Sequence, residues 1–447
     1  MAQAPTTAAT NVHRPLAPQR GRQVLTVGVM YFGYAMFMVL RMVPTVTGAA
    51  MREDEALNMD LGDWGRILAL GTAGAVLGKF IGGYAADKFG GKLTFTVGLL
   101  IAGIFVGLFG ASSSVPLFQL TFFGALMAKS FGWPSMAKII TNWFSDHEYG
   151  RVWGVLSTSS RVGTLVATLG LGALLAYMSW RGVLWVAAGA SLVAVVGFAF
   201  LLTERPFVEE LPADDIDAAE SVIDVRAHPL SGTTLPQALA CFAASRQFWL
   251  ITGSLAGLTV LWDFLLFVPL YLQDTLQLSS AAAAMSASAF PFGSLISVLV
   301  GGYVFDKLSR RATAWLMGGL LAIATACIGA FLLMPKFGLQ PDAAKSLALG
   351  LLFLFGLCVS PCYYIPMSVF SIEFGGPHSG FLIALLDALA FAANAVFYYF
   401  AGDVAQSSWG LFLSVLMTVS AWSLVTTFLF MLGEARRLAT DVDVIEN

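Results

Sequence analysis

The sequence predicts an all-α integral membrane protein with twelve transmembrane helices arranged as two six-helix pseudo-repeats. Three observations support this fold class: the composition, the number of long apolar stretches, and a short motif that occurs twice. Of the 447 residues, 57% are hydrophobic and 11% are charged, whereas soluble globular proteins usually contain about 25% charged residues. The mean hydropathy is +0.78. This composition argues against a soluble enzyme, and we expect no enzymatic activity.

Twelve stretches are long and apolar enough to cross a bilayer, which requires about 20 mostly apolar residues. They cover residues 23–50, 62–86, 92–112, 116–144, 149–178, 182–202, 246–273, 281–304, 312–334, 345–370, 379–402 and 409–433. A polar, acidic stretch separates the sixth from the seventh. The expected organisation is a disordered cytoplasmic N-terminus (1–22), a first six-helix half (23–203), a cytoplasmic acidic linker (204–245), a second six-helix half (246–433) and a cytoplasmic tail (434–447).

Lysine and arginine residues near the ends of the spans predict which loops face the cytoplasm. Basic residues precede the first span, lie in the loops after the second, fourth and eighth spans, and follow the twelfth. The loop after the first span is mostly acidic. We therefore expect both termini on the cytoplasmic side of a bacterial inner (plasma) membrane. No cleavable signal peptide is predicted, because the first apolar stretch is too long for one.

The repeated motif is GGYxxDK, which occurs at residues 82–88 and again at 301–307. Glycines allow two helices to approach closely, and an aspartate at a helix end can accept hydrogen bonds from a neighbouring helix. We therefore expect this turn to act as a gate between the two halves. The alternative is an ordinary solvated loop with positive-inside charge. The predicted gating residues are Gly83, Asp87, Lys88, Gly90, Asp306 and Lys307.

Several charged residues fall inside the predicted spans, where a charge is costly unless it faces a cavity or a partner. The main cations of the first half are Arg41, Lys79, Lys129 and Arg161, and the main acids of the second half are Asp263 and Asp387. One hypothesis is that the cations bind an anionic solute. The other is that they pair with the acids across the interface as a neutral structural network. Both aspartates are also candidates for carrying protons.

Aromatic and amide side chains complete the candidate solute cavity. These are Tyr34, Trp133, Trp262, Tyr363, Tyr364 and Asn394. Tyrosine and tryptophan are also common as packing residues and as anchors at membrane interfaces, which is the alternative role for each. The chain has four cysteines and four histidines, and none has metal-ligand spacing. We therefore expect no metal site and no cofactor.

The sequence resembles the major facilitator superfamily in its signature loop, which here reads from Gly83 through Asp87 and Lys88 to Lys92. Within that superfamily it resembles the organophosphate:phosphate antiporters, which include glycerol-3-phosphate and hexose-phosphate transporters. The residues that carry this resemblance are Arg41, the Lys79-Phe80 pair, and GWPSMAKIITNWFSDHEYGRVWG at 132–154.

The resemblance implies alternating access and exchange of a phosphorylated solute for inorganic phosphate. Arg41 matches the family's first substrate-binding arginine, and Lys79 matches its lysine in the second span. The family's second arginine falls near Leu261, which is apolar. Arg161 is expected to supply the missing positive charge from another helix.

The expected function is secondary active transport of a small organic anion, such as a phosphate ester. One alternative is a proton-coupled carboxylate symporter of the same fold, and another is a transporter-like solute sensor or scaffold that signals through a partner. The expected partners are the anionic solute, phosphate or a proton as counter-substrate, and the lipid bilayer. We expect a monomer that binds no nucleic acid.

Overall fold

The computed structural model describes residues 20–144, 146–204, 230, 233–305 and 307–446. These residues are almost entirely helical and contain no β-strand. The first half consists of α1 (Arg20–Glu53), α2 (Leu61–Phe89), α3 (Gly91–Ala111), α4 (Val115–Lys129), α5 (Gly132–Trp143), α6 (Asp146–Val166), a π-helical segment (Ala167–Leu171), α7 (Gly172–Leu174) and α8 (Trp180–Leu201).

The second half begins with a short helix and continues through longer ones. It consists of α9 (Leu235–Ala244), α10 (Arg246–Asp263), a 3₁₀ turn (Phe264–Leu266), α11 (Val268–Leu276), α12 (Ser280–Ser286), α13 (Ala289–Phe305), α14 (Arg310–Leu333), a 3₁₀ turn (Met334–Phe337), α15 (Pro341–Gly375), a 3₁₀ turn (Gly376–His378), α16 (Ser379–Ser407) and α17 (Trp409–Glu446).

Ten helical segments within the described residues are long and apolar enough to cross a membrane. They confirm the all-α membrane fold, but the predicted count of twelve is not fully reached by this criterion. The predicted fourth span is divided into α4 and α5. Pro134 explains this break, because it has no N–H to donate to the carbonyl of Ser130. The predicted fifth span corresponds to α6, which is less apolar, followed by the π-helical segment.

The ends of the predicted segments differ from the structure in two places. The last part of the predicted linker forms α9, which begins with a capping box between Thr234 and Gln237. Phe242 of this helix packs on Phe248 and Phe374. The helix α17 continues well beyond residue 433, where we expected the tail to begin. Most of the predicted linker, including residues 205–229, lies outside the described part of the chain.

The two halves meet along α2 and α16, which pack closely at one end of the bundle. Glycine permits this contact on both helices. A Cβ atom added to Gly65 would lie 2.6 Å from the carbonyl oxygen of Tyr398, and one added to Gly402 would lie 2.0 Å from that of Leu61. We call this the closed end. It contains the loops that follow α1, α11 and α16.

Polar contacts also join the halves at the closed end. Arg52 at the end of α1 forms an ion pair with Asp274 of α11. The indole of Trp409 donates a hydrogen bond of 2.9 Å to the same carboxylate. The backbone N–H of Leu61 donates a 2.8 Å bond to the side-chain oxygen of Gln406. Charge pairing and close backbone packing therefore hold this end together.

Replacing Gly402 by alanine is expected to destabilise the closed end. The added methyl group collides with backbone rather than with a flexible side chain, so α2 and α16 must separate. Overpacking of this kind typically costs about 1–3 kcal/mol. We expect a lower apparent melting temperature in detergent than for Gly380→Ala. Gly380 lies on the same helix with nothing within 4 Å of an added Cβ. Equal melting temperatures for the two variants would contradict the close packing.

Candidate functional site

An ion pair joins the two halves at the centre of the interface. The Nη2 atom of Arg41, on α1, lies 2.5 Å from Oδ1 of Asp263, on α10. The amide of Asn394, on α16, donates a 2.7 Å hydrogen bond to Oδ2 of the same carboxylate. Only 2% of Asp263 is exposed. Both carboxylate oxygens are therefore satisfied in a dry environment, where an isolated carboxylate would be costly.

A second ion pair connects α2 with α16. The ammonium of Lys79 donates to Oδ2 of Asp387, and the hydroxyl of Tyr363 donates a 3.2 Å hydrogen bond to Oδ1. The Lys79 ammonium also lies 3.8 Å from the centre of the Phe391 ring, which is a favourable cation–π geometry. The side chain of Asp387 is 26% exposed. This pair is therefore more accessible than the pair formed by Asp263.

Arg161, on α6, reaches across the interface and forms no ion pair with a carboxylate of the described residues. Its guanidinium carbon lies 4.0 Å from the ring centre of Tyr364 and 5.3 Å from that of Trp262, both in the second half. Its Nη1 atom donates to the carbonyl of Ser157 and the hydroxyl of Ser160, each at 2.8 Å. Within the part of the chain that the structure describes, its Nε and Nη2 atoms have no hydrogen-bond partner, although Arg161 is only 2% exposed.

The remaining predicted cation, Lys129, is the last residue of α4. It forms no ion pair with any carboxylate in the described part of the chain, and its ammonium lies 5.8 Å from the ring centre of Tyr34. Tyr34 packs on Trp133, with 5.4 Å between ring centres, and Trp133 packs on Trp153 at 4.5 Å. These rings are the aromatic part of what the first half contributes to the site.

The predicted substrate residues are brought together in space. Tyr34 lies within electrostatic range of Arg41, Arg161 and Asp387, and Lys129 lies within range of both Arg41 and Lys79. Two of the four cations form ion pairs with the acids, and the anion-binding hypothesis stays a prediction. Arg41 and Lys79 pair with the second-half acids, as the structural-network hypothesis predicts, whereas Arg161 and Lys129 pair with no acid in the described ranges.

The predicted gating residues of the first copy lie at the end of α2. The carboxylate of Asp87 lies 3.2 Å from the ammonium of Lys138, on α5 of the same half. Lys88 lies over the ring of Phe89. These contacts do not cross the interface in this conformation. Gly83 borders open space, since a Cβ added there would meet nothing within 4 Å. The gating role stays a prediction.

The turn after α2 has a second feature that the motif did not reveal. Gly90 has a φ of +89°, a conformation that glycine adopts readily. The carboxylate of Glu204 then accepts hydrogen bonds from the backbone N–H groups of Gly91 and Lys92, at 2.8 and 2.5 Å. This caps the start of α3. In the second copy, Asp306 lies outside the described residues, and Lys307 packs on Tyr303 of its own turn.

Sequence analysis missed several residues that contact the site or the closed end. Phe391 underlies Lys79, and Arg52 pairs with Asp274. The sequence contained one signal for the Arg52–Asp274 pair, which is the number of residues that separates its two members. Arg41–Asp263 and Arg52–Asp274 both join residues 222 positions apart, close to the interval of about 219 residues between the motif copies. At these two pairs, α1 of the first half therefore faces α10 and α11 of the second half.

No group of three histidine, cysteine, aspartate or glutamate side chains in the described part of the chain has an arrangement that could hold a metal ion.

The family model described as the Major Facilitator Superfamily matches residues 24–398. The chain belongs to the major facilitator superfamily. A solved structure agrees with this fold: a bacterial homologue of the human lysosomal transporter Spinster, in an inward-facing and unoccupied conformation. It has a TM-score of 0.67 and 17% identity, covering 94% of this chain and 96% of that one.

Several curated relatives within the superfamily also match. A probable hexose phosphate transport protein of Chlamydia trachomatis is 27% identical over 63% of this chain and 64% of that protein. A probable L-galactonate transporter of Escherichia coli is 24% identical over 78% and 72%, respectively. The membrane sensor protein UhpC of E. coli is 23% identical over 62% and 64%. The first curated relatives are thus matched over about 64% of their length. They confirm the predicted resemblance to organophosphate transporters, and none is named as an enzyme.

Proposed function

We propose that this major facilitator protein moves a small organic anion across the membrane by alternating access. The observation that carries the proposal is Arg161, a buried arginine with two nitrogen atoms that have no hydrogen-bond partner among the described residues. Removing a cation from water costs several kcal/mol unless a counter-charge and hydrogen bonds compensate. The rings of Tyr364 and Trp262 offset part of this cost. A bound anion would supply the rest.

The geometry of a guanidinium favours anions with two oxygens on one face. Arginine presents planar N–H groups that match carboxylate and phosphate oxygens bidentately. The free Nε and Nη2 atoms of Arg161 are adjacent on one edge of that plane. An anion at this edge would be bound by the first half while lying against Tyr364 and Trp262 of the second half. Such a position suits a solute that is transferred as the halves rock.

The charge of the site favours a doubly charged anion. Asp263 and Asp387 neutralise Arg41 and Lys79, so Lys129 and Arg161 remain uncompensated by the carboxylates described here. A phosphate monoester carries a charge of about −1.5 to −2 at neutral pH. It would balance both cations. Relatives named for hexose phosphate, glucose-6-phosphate and glycerol-3-phosphate support the same substrate class.

The proposal extends to the membrane in which the chain lies, its orientation, its oligomeric state and its counter-substrate. We place the chain in a bacterial inner membrane with both termini in the cytoplasm, in accordance with its basic loops. A monomer is sufficient, because every proposed solute contact comes from one chain. The counter-substrate is phosphate or a proton. In this orientation the closed end faces away from the cytoplasm. The predicted division into two six-helix halves joined by a cytoplasmic linker is part of the same proposal.

Reconstituted protein tests the proposed function. Proteoliposomes containing the purified chain are expected to take up radiolabelled glucose 6-phosphate or glycerol 3-phosphate in a saturable manner, with inorganic phosphate as a competitor. Empty liposomes are the control. A folded protein that binds none of a panel of phosphate esters, sugar acids and phosphate would overturn the proposal. Binding without uptake would instead favour the sensor alternative, which the relative named as a membrane sensor protein also suggests.

A further inference from the structure

We propose that α9 lies in the membrane–water interface, with its exposed apolar face against the lipid of the leaflet that α10 enters. The partner of this face is the bilayer surface, and not another protein. The sequence alone predicts only a cytoplasmic linker over these residues. The inference goes beyond the proposed function and does not depend on it, because a transporter and a sensor would both keep this contact.

The composition of α9 is unusual for a helix exposed to water. Its ten residues, LPQALACFAA, include no charged side chain. A helix on the surface of a soluble domain normally has charged or polar residues on the side that faces away from the core. In α9 the one strongly polar side chain is Gln237. Most of the outward surface of this helix is therefore apolar.

One face of α9 attaches the helix to the second half. Phe242 is buried and packs on Phe248 of α10 and Phe374 of α15, with 6.3 and 5.6 Å between ring centres. Just before the helix begins, the carbonyl oxygen of Thr233 lies 3.1 Å from Nε2 of His378, in the turn between α15 and α16. Contacts at both ends therefore hold α9 in place and determine which side faces outward.

The neighbouring face of α9 is apolar and exposed. Leu235, Leu239 and Ala243 follow one another at intervals of four, so their side chains project from the same side of the helix. We call these three residues the leucine face. The two leucines are 42% and 36% exposed. Gln237 is two residues from each leucine, which places it on nearly the opposite side. The leucine face and Gln237 therefore point in opposite directions.

The connection to α10 fixes the depth of the leucine face. The membrane-spanning segment of α10 begins at Arg246, so Ser245 alone separates it from α9. In the first turn of α10, Trp249 is 57% exposed, and its indole donates a 2.8 Å hydrogen bond to the carbonyl of Ala243. Tryptophan is enriched at membrane–water interfaces. The leucine face therefore continues the lipid-facing surface of α10 at the level of the headgroups.

The leucine face suits lipid better than a second protein. A stable protein interface buries about 800 Å² on each partner, which three side chains of one ten-residue helix do not supply. The bilayer has no such minimum, because covalent attachment to α10 keeps α9 at its surface. Arg246 is exposed at the start of α10, and its long side chain can reach the headgroup phosphates.

Lipid contact at α9 fixes the depth of the turn between α15 and α16. The contact of Thr233 with His378 lies directly before α16. That helix contributes Asp387 and Asn394 to the candidate site. The second half is therefore tied to the leaflet surface at the end of α16 that lies away from the closed end.

Spin labelling in bilayers tests the placement of α9. Single cysteines are introduced into a Cys241→Ser background, because Cys241 is exposed while Cys327, Cys358 and Cys362 are buried. The background without an added cysteine is the labelling blank. The labelled protein is reconstituted into vesicles of phosphatidylethanolamine and phosphatidylglycerol. Power saturation with oxygen, which concentrates in the acyl region, and with a water-soluble nickel complex then gives the depth of each probe.

We expect the probe of Leu239→Cys to lie about 5–10 Å below the headgroup phosphates. The probe of Gln237→Cys should lie at or above them. Val193→Cys on α8 is the reference for full lipid exposure, since Val193 is 74% exposed on a membrane-spanning helix. Equal depths for the probes at 237 and 239 would overturn the inference. A probe at 239 that is shielded from both reagents would overturn it too, because protein would then cover the leucine face.

A charge placed on the leucine face gives an independent test. Leu239→Glu puts a carboxylate where the lipid would lie, so a probe at Leu235→Cys should lose most of its depth. Gln237→Glu adds the same charge on the opposite side and should leave that probe unchanged. An unaltered depth in Leu239→Glu, or an equal loss in both variants, would refute the lipid contact. Neither measurement uses a solute, so its failure leaves the transport proposal intact.

Discussion

Replacing Arg161 by methionine is expected to abolish measurable anion binding while leaving the ligand-free protein at least as stable as the wild type. The free Nε and Nη2 atoms can donate two charge-assisted hydrogen bonds to an anion. Each such bond contributes about 1.5–3 kcal/mol, so affinity should fall by at least about 100-fold. The stability of the ligand-free protein should not fall, because the buried cation has no carboxylate partner to lose among the residues that the structure describes.

The two measurements together distinguish a binding role from a structural one. Isothermal titration with glucose 6-phosphate gives the affinity, and thermal unfolding in detergent gives the stability. Arg161→Lys keeps the charge but not the planar fork, so a smaller loss of about tenfold is expected. Arg151→Ala is the matched control, since Arg151 is an exposed arginine on the same helix. Unchanged affinity in the methionine variant, or a large loss of stability with affinity retained, would refute the proposed role of Arg161.

Replacing Arg41 by alanine is expected to destabilise the protein strongly, by about 3–5 kcal/mol. The substitution leaves the Asp263 carboxylate buried without its counter-charge, and breaking a buried ion pair from one side has a cost of this size. The double variant Arg41→Ala/Asp263→Asn removes both charges. It should recover most of the loss, because the amide that replaces the carboxylate is neutral while Asn394 remains available as a hydrogen-bond partner.

A surface pair provides the comparison. Lys138 and Asp87 are 37% and 78% exposed, and exposed ion pairs contribute about 0–1 kcal/mol. Lys138→Ala should therefore change the apparent melting temperature far less than Arg41→Ala. If Arg41→Ala is as stable as the wild type, or if the double variant is no better than the single one, the pair does not stabilise this conformation. Arg41 would then be better explained as a solute ligand alone, as the family resemblance implies.

Much of the fold could be predicted from the sequence. Hydropathy located the membrane-spanning segments, since a bilayer requires long apolar helices whatever their neighbours. The repeated GGYxxDK motif indicated two related halves, and the signature loop indicated the superfamily. The prediction was less complete where helices are interrupted. Pro134 divides the fourth span, and the fifth passes into a π-helical segment, since local backbone geometry alters helices that hydropathy treats as continuous.

The sequence predicted which residues form the candidate site, but not which of them form ion pairs with each other. The sequence placed cations in the first half and acids in the second, and it favoured no particular partner for each. The packing of the helices determines that Arg41 forms an ion pair with Asp263 and that Lys79 forms one with Asp387. They also decided that Arg161 meets aromatic rings instead of a carboxylate. This last contact separates the cation proposed to bind the solute from those already neutralised.

The sequence by itself determined that this chain is a helical membrane protein of two related halves, with positive charge concentrated in the first. Composition and periodicity suffice for this, because the bilayer imposes the same requirement on every spanning helix. Only the tertiary structure decided which charges are compensated. Whether Arg161, Lys79 or Arg41 has a partner depends on the packing of helices that lie more than a hundred residues apart in the chain. Ion pairing acts over a few ångströms, and no local pattern in the sequence records distances of that kind.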